Sequence, residues 1–529
     1  MFLYRDEYYR GSLTDNECEL LLQIVQAKSV GVLKNIIKNT PDHVVMMMQK
    51  DLTQFKKEGN SSVLNGYEIS EQGTLTDAQT VGVAFLYHAK SALLGDEVGL
   101  GKTVQVAGLL NLLKEEKKVR EEEFSFCFLT EKSNVPQIQE KLIKFTGDYV
   151  YRLDSAERKE VEKYFSLKKL YNVGVVAPHS LLNSGVFMKE MLNRPFDIII
   201  VDESSVLKNN QSEIYKNTKE IFNFVDRKVL LNATPVETNL RDIYNQLALL
   251  DKGYLPKVTD FNKQFVKFKK TFYGFQPSGY KNVEFFKKAI SLRYLARTRK
   301  DLGADYENNT YKMIVVPLSE QQKELMRKSS LKQMINDYPS GVDRNIPFNI
   351  QTTPKLDALY YLLENEIDVN SQVLIYCRFI EAQEALKEHL ESMGFRVGLL
   401  NGRSSLSERD KVVKDFNEGN FEILITNVLR GLDLRYCDNC ILYTIDPNPQ
   451  KMVQFEGRIT RDLDIKYKNV YMLVSMGREK DFVENELKLR VKMSKEVVNQ
   501  GNSMVIQSIL EGDNKIYFER VQQDGSSST

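Results

Sequence analysis

Short, apolar runs alternate with helical stretches from about Leu75 to Leu250, and the same rhythm returns from about Lys355 to Glu496. In the first region "SALLGDE", "FSFCFLT", "VGVVAP", "FDIIIVDE" and "KVLLNATP" read as strands apolar on both faces, which predicts a buried parallel sheet. In the second, "QVLIYCRF", "FRVGLLNG", "FEILITN", "NCILYTID" and "NVYMLVSM" play that part, with helical patterns such as "EAQEALKEHLESMG" between them. Strand, helix, strand in repetition predicts an α/β fold, here in two tandem lobes, each a mostly parallel sheet flanked by helices.

At 529 residues the chain exceeds one ordinary core, and a prior of about 150 residues per domain suggests roughly three or four units. Before the first lobe, "NECELLLQIVQAKSVGVLKNIIKNT" has helical spacing with a cap at Thr14 or Asp15, predicting a small helical region over residues 1–70. Lobe one is expected over 71–310 with a basic helical insertion at about 251–300, a linker over 311–350, lobe two over 351–496, and an extension over 497–529 ending in the flexible "DGSSST".

Hydrophobic residues make up 42% and charged residues 27%, the balance of a folded chain rather than a disordered one. Lys and Arg number 73 against 72 acids, so attraction to a polyanion must come from local clustering. One stretch is strongly polarised: residues 257–300 hold twelve Lys/Arg, among them Lys267, Lys269 and Lys270, against two acids, interleaved with aromatics. It either tracks a phosphate backbone or forms a solvated basic helix face, and the helical spacing of "FNKQFVKF" assigns several of its aromatics to a core. Cys18, Cys127, Cys377, Cys437 and Cys440 are too few for a disulfide framework, which points to a reducing cytoplasm, or a host's cytoplasm for a viral chain. No run of 18 apolar residues is present, and "MFLYRDEYYR" carries charges where a signal peptide needs an apolar run, so no membrane partner is expected.

Three constellations carry chemistry. The first, Gly95-Asp96-Glu97-Val98-Gly99-Leu100-Gly101-Lys102-Thr103, lies between an apolar strand and a helix. Glycines such as Gly99 and Gly101 let backbone N–H groups turn toward phosphate oxygens, the helix start adds positive potential, Lys102 reaches the β/γ phosphates and Thr103 ligates magnesium. The general pattern has Gly where this chain has Asp96. The second ends the strand "FDIIIVDE": Asp202 is suited to hold magnesium and Glu203 to orient and deprotonate the attacking water. The third, "QFEGRITR", sets Gln454, Arg458 and Arg461 on a helix of lobe two, where the arginines could neutralise phosphate charge in a transition state. A Gly-rich turn, a solvated strand end and a charged helix face are the competing readings of the three taken singly. Taken together they predict ATP, with Mg2+, hydrolysed between the lobes.

Over about Leu75 to Val491 the chain resembles the chromatin-remodeller-like, SWI/SNF-type branch of helicase superfamily two, whose lobes are RecA-like. "DEVGLGKTVQ", with Asp96 and Gln105, looks like that branch's first motif, and "LTDAQTVGVAFL" resembles its adenine-reading segment, implying Gln79 on the base. "DESSVLKN" is similar to its second motif, although members usually carry His at the position of Ser205. "LLNATPVETNLRDIYNQLALL" resembles its third, implying that Thr234 couples ATP to nucleic acid, while "RYLARTRKDL", "PLSEQQKELM" and "TPKLDALYYLL" look like its connecting elements. In lobe two, "ITNVLRGLDL" is closer to DEAD-box RNA helicases, implying Thr426 on the nucleic-acid backbone and Gly431 and Asp433 at the nucleotide, with Asp433 on the ribose. Arg403 joins the candidates for nucleic-acid contact. About fifty residues separate Cys377 from Thr426, too few for the large insertion of eukaryotic remodellers, which implies a bacterial or phage member.

The resemblance implies a DNA translocase acting foremost on duplex DNA, with single-stranded DNA or RNA as other substrates and replication, recombination or transcription proteins as possible partners. A strand-separating RNA or DNA helicase is the alternative enzyme, and an ATP-gated nucleic-acid-binding scaffold the alternative of another class. Cys437-Asp438-Asn439-Cys440 is half of a zinc pattern with no second pair nearby, and His43, His88, His179 and His389 have no ligand-like spacing, so both groups are expected to be structural.

Overall fold

A computed structural model of the chain describes residues 68–70, 73–171, 173–237, 239–271, 274–291, 293–298, 308–329, 337–344, 353–428, 434, 437–456, 467–488 and 515–517. It divides into two compact units, residues 1–304 with 493–501 and residues 305–492 with 502–529. The helical region expected over 1–70 lies outside the described residues except for β1 (Glu68–Ser70), which pairs with β2 (Gly73–Thr74).

In the first unit, β3 (Ser91–Leu94), β4 (Phe126–Thr130), β5 (Val150–Arg152), β6 (Gly174–Pro178), β7 (Ile198–Asp202), β8 (Arg227–Leu231) and β11 (Tyr294–Leu295) form one sheet. Its order is β11-β3-β8-β7-β4-β6-β5, and every pairing is parallel. The five runs recognised in the sequence are β3, β4, β6, β7 and β8. Successive residues of each strand face opposite ways. Cys127, Leu129, Val201 and Leu230 enter one core, while Phe126, Phe128, Ile200 and Leu231 enter the other. With helices covering both faces, neither set can be polar, which is why these strands read as continuous apolar runs.

Between β8 and β11 the basic stretch is not helical throughout. The Val258–Phe265 helix leads into an antiparallel hairpin of β9 (Val266–Thr271) and β10 (Gly274–Tyr280), and the Val283–Ile290 helix follows. The two helices carry the aromatics inward: Phe261, Phe265 and Phe286 are buried, with the Phe261 and Phe286 rings 5.6 Å apart edge to face. On the hairpin, Lys267, Phe268 and Lys270 are exposed. The stretch thus sends the aromatics Phe261, Phe265 and Phe286 of its helices to the core and leaves Lys267, Phe268 and Lys270 of its hairpin at the surface.

The second unit holds β12 (Asn308–Val316), β13 (Val373–Tyr376), β14 (Val397–Leu400), β15 (Ile423–Thr426), β16 (Asn439–Leu442), β17 (Tyr467–Ser475) and β18 (Lys515–Tyr517). They form a parallel sheet of order β14-β15-β13-β16-β17-β12-β18. Each unit is therefore a RecA-like lobe of the expected class. Two strands lie where none was expected. β12 falls in the segment read as a linker and β18 in the C-terminal extension, and each joins a sheet whose other strands are distant in sequence. Isolated apolar runs such as "MIVV" carry no strand-helix rhythm, which is the signal the sequence reading depends on.

A buried ion group ties this lobe together. Lys355 Nζ, on the Pro354–Tyr361 helix, donates to Asp343 Oδ2 at 2.6 Å and Glu479 Oε2 at 2.8 Å, and all three side chains are essentially inaccessible. Glu479 also accepts from the backbone N–H groups of Ser475 at 2.7 Å and Ile445 at 3.3 Å, and from the Ser340 hydroxyl. Burial, helped by the Glu479 charge, pushes Asp343 up to about 7 against the pull of Lys355. One ammonium thus holds two carboxylates that would otherwise be stranded in a dry core. We expect Lys355→Met to cost about 3–5 kcal/mol, seen as a lower urea midpoint for unfolding of the second lobe. An unchanged midpoint would mean the group is dispensable.

Candidate active site

Register brings the first lobe's chemistry to one edge. Leu231 pairs with Leu94 on one side and with Asp202 on the other, so β3, β8 and β7 end at one level. The glycine loop leaves from β3, the Asn232–Pro235 turn from β8 and Glu203 from β7. Carboxyl ends of adjacent parallel strands are where open α/β sheets bind ligands.

The loop is shaped for phosphate. Gly99 and Gly101 hold φ of +92° and +78°, a region that costs other residues a Cβ clash. Gly101 precedes the Lys102–Val119 helix and provides no side-chain cap, so the helix begins without a side-chain acceptor on its first amides. A Cβ on Gly101 would also collide with Gln79 Nε2, which places the expected base-reading side chain against the phosphate loop. Gln79 itself closes a capping box, its Oε1 accepting from Thr76 N–H at 3.1 Å, so its position is set by the start of its own helix.

Lys102 Nζ donates to the carbonyls of Asp96 at 2.7 Å and Glu97 at 3.3 Å, arching back over the loop. Burial pushes it below the usual lysine range, while Asp96, Glu203, Asp202 and Glu97 pull the other way. The same charges place its ammonium in the field of both strand-end acids.

Asp96, expected among the nucleotide-binding residues, braces the loop from behind instead. Its carboxylate is fully buried and accepts from Arg297 Nε at 3.0 Å, Arg297 Nη2 at 2.5 Å, Arg297 N–H at 3.1 Å and Gln105 Nε2 at 3.0 Å. Arg297 also donates to Gln105 Oε1 at 2.9 Å and to the Ala78 carbonyl, which joins the segment after β11 to the Gln79 helix. Gly82 admits this group, since a Cβ there would overlap the Gln105 amide. Arg297 was legible only as part of "RYLARTRKDL"; its partner was not.

Asp202 ends β7 beside Thr130, whose hydroxyl donates to Asp202 Oδ2 at 3.0 Å. Burial raises the Asp202 carboxyl above its usual range, opposed by Thr130 and by the Lys102 charge. His179 Nε2 lies 2.7 Å from the Asp202 carbonyl, and burial lowers this imidazole to about 4, so it is neutral near pH 7 and donates its N–H there. His179, expected to be structural, is so in the sense that it fixes the turn carrying the acids. Glu203 follows with φ +48° and ψ +50°, left-handed values that cost a residue with a side chain roughly 1–2 kcal/mol. Such strain persists only where neighbours hold it.

Thr234 is buried in the turn after β8, its N–H donating to Asn232 Oδ1 at 3.0 Å. Lysine, threonine, aspartate and glutamate therefore surround the start of one helix, a donor set that fits a magnesium–nucleotide triphosphate. Lys102 and the loop amides suit the phosphates, and Thr103 and Asp202 offer the oxygen ligands magnesium prefers.

In the second lobe, Thr426 corrects its expected role. Its side chain is wholly buried at the end of β15 and accepts from the Val428 N–H at 2.8 Å, so the hydroxyl shapes the turn rather than facing a nucleic-acid backbone. Arg403 is exposed and pairs with Glu384 at 3.3 Å. Gln454 lies on the Pro449–Glu456 helix, and Gly431, Asp433, Arg458 and Arg461 fall outside the described residues. Cys437 and Cys440 are buried, with Cys437 Sγ donating to the Asn439 carbonyl at 3.3 Å. Among the described residues no group of three His, Cys, Asp or Glu side chains could hold a metal ion, and no helix is long and apolar enough to cross a membrane.

The SNF2-related domain model matches residues 78–357, more than half of the chain. The chain belongs to the SNF2-related family. A helicase conserved C-terminal domain follows over residues 354–462. This SNF2-related chain is 23% identical over 447 residues to a zebrafish (Danio rerio) chromodomain-helicase-DNA-binding protein 1-like, covering 78% of itself and 42% of that protein. It is 22% identical to the Bacillus subtilis uncharacterized ATP-dependent helicase YqhH over 77% of itself and 76% of the helicase. The mouse (Mus musculus) chromodomain-helicase-DNA-binding protein 1-like is 24% identical, and half of its length is spanned. The Sulfolobus solfataricus SWI2/SNF2 ATPase core in complex with dsDNA aligns at 19% identity with a TM-score of 0.40, over 82% of this chain and 95% of that one.

The Asp96–Arg297 pair leads to a direct expectation. Arg297→Met should leave a buried carboxylate unpaired, lowering first-lobe stability by about 3–5 kcal/mol and weakening binding of a fluorescent ATP analogue. Thermal melting and titration of the analogue check both. Undiminished affinity would show that the loop holds its shape without this brace.

Proposed function

We propose that this chain is an ATP-driven nucleic-acid motor, a superfamily-two ATPase that couples hydrolysis to movement along DNA. The observation that carries the reading is the meeting of Lys102, Asp202 and Glu203 beyond the ends of β3 and β7, the strands that flank β8, with Lys102 in the field of both acids. Lys102 and the amides of the loop bind the phosphates, and Gln79, against Gly101, orients the base end. Bound by Thr103 and Asp202, magnesium supplies neutralisation of phosphate charge. Glu203 orients a water and takes its proton as the water oxygen bonds to the γ-phosphorus and the bond from that phosphorus to the β–γ bridging oxygen breaks, leaving ADP and inorganic phosphate. Arg458 and Arg461 are our candidates for arginine fingers, supported by their spacing in "QFEGRITR".

For the track we propose duplex DNA. The relatives named as DNA-binding helicases support this choice, as do the exposed Lys267 and Lys270 of the β9–β10 hairpin, which with Lys269 suit a phosphate backbone. Thr234 and Arg403 complete the proposed contacts. Gly431, Asp433 and Gln454 complete the proposed nucleotide contacts. The compact second lobe supports a bacterial or phage origin and the few cysteines a cytoplasmic setting, and we propose replication, recombination or transcription proteins as partners. "ITNVLRGLDL" favours a second reading, an RNA helicase.

ATP turnover measured with duplex DNA, single-stranded DNA and RNA separates these readings. We expect duplex DNA to stimulate most, and stimulation by RNA alone would transfer the choice to the second reading. Glu203→Gln should abolish turnover with ATP-analogue affinity retained; turnover that neither nucleic acid nor this change alters would defeat the motor reading and favour a scaffold. Arg458→Ala should leave ATP binding nearly intact and cut turnover at least roughly a hundredfold, within the range known for arginine fingers. Lost affinity with unchanged turnover would contradict that role.

A further inference from the structure

Gln246 lies on the Arg241–Leu250 helix and has no accessible surface. Its Oε1 accepts from the Ser204 hydroxyl at 2.7 Å and from Asn232 Nδ2 at 3.1 Å. Its Nε2 donates to the Pro235 carbonyl at 3.0 Å and the Asp242 carbonyl at 2.9 Å. A side-chain amide has two acceptor sites and two N–H donors, and all four are used. Three of these bonds leave the helix. One reaches the residue after Glu203, and two reach the turn that carries Thr234. Asn232 extends the chain, its Oδ1 taking the Thr234 N–H at 3.0 Å and its own N–H donating to the Leu94 carbonyl at 3.0 Å, at the root of the phosphate loop.

We propose that Gln246 is a positioning residue that couples the Thr234 turn to Glu203, so that nucleic acid engaged at that turn sets the alignment of the water-orienting carboxylate. The proposal rests on the motor reading above. Two observations support it besides the bonds. Glu203 is held at φ +48°, a conformation that its surroundings must enforce, and Ser204, anchored on Gln246, is its immediate neighbour. Thr234 Oγ1 is buried and has no hydrogen-bond partner, so the turn carries an unspent polar group beside the network. A shift of this turn pulls Asn232 and Pro235 against a fully committed amide. In a dry site a half-satisfied amide is costly, so the group moves as a unit or not at all. That stiffness carries a displacement from one strand end to the next.

The test compares the full chain with Gln246→Leu, Ser204→Ala and the double variant, reading ATP turnover with and without duplex DNA, ATP-analogue affinity and thermal melting. We expect the ratio of DNA-stimulated to unstimulated turnover to fall at least roughly tenfold in Gln246→Leu, with analogue affinity within about threefold of the parent. Ser204→Ala should move the same ratio, and the double variant should lose little more than Gln246→Leu alone, as residues of one unit do. Losses that multiply, or affinity that falls in step with turnover, would reduce Gln246 to a packing residue. If Gln246→Leu does not fold, Ser204→Ala decides, and an unaltered ratio there overturns the proposal. A parent chain that no nucleic acid stimulates overturns the motor reading and the coupling with it. A stimulated parent equalled by Gln246→Leu overturns the coupling alone.

Discussion

Parallel pairing sets Leu94, Leu231 and Asp202 side by side, and parallel strands leave a sheet at the same edge, so three turns far apart in sequence start from one line. The glycine loop, the Asn232–Pro235 turn and the acid pair owe their meeting to that register. A slip of one residue in any of these strands would exchange its two core faces, moving Leu93 and Leu230 into the space of Leu94 and Leu231. The apolar core thus enforces the placement of polar chemistry that it never touches.

Buried charge does a second kind of positioning. In the first lobe Arg297 joins the loop at Asp96 to the helix bearing Gln79, and in the second Lys355 joins segments around Asp343 and Glu479. Hydrophobic replacements of such groups are often as stable, so their value lies in direction: a guanidinium or ammonium bonds at fixed angles where a methyl group slides. Both groups sit where segments distant in sequence must arrive at a defined place. The Gln246 amide follows the same logic without a charge.

The fold class and the glycine loop before its helix were legible in the sequence because both leave local marks. Strands buried on both faces make unbroken apolar runs, and Gly99, Gly101, Lys102 and Thr103 sit at fixed spacing before a helix. β12 and β18 were missed because a lone strand has no local partner to betray it. The roles of Asp96, Thr130, His179 and Gln246 were illegible for a related reason. Each is defined by a partner far along the chain, 201 residues away for Asp96 and Arg297, and spacing cannot announce such a pair. Thr426 misled for another reason: the resemblance of "ITNVLRGLDL" implied an outward task, while a threonine hydroxyl readily turns back to its own backbone.

The brace on the phosphate loop also fixes when that loop can mature. Arg297 follows β11, which among the described residues pairs with β3 alone, the strand from which the loop departs. The strands between are made earlier during synthesis, and the basic hairpin is also complete before Arg297 emerges. A ribosome-bound chain that stops short of this residue has its glycine loop and both strand-end acids but no counter-charge for Asp96. The bracing of the loop therefore comes after the strands it departs from, and after the Thr234 turn and the β9–β10 hairpin proposed to meet the nucleic acid, have already been made.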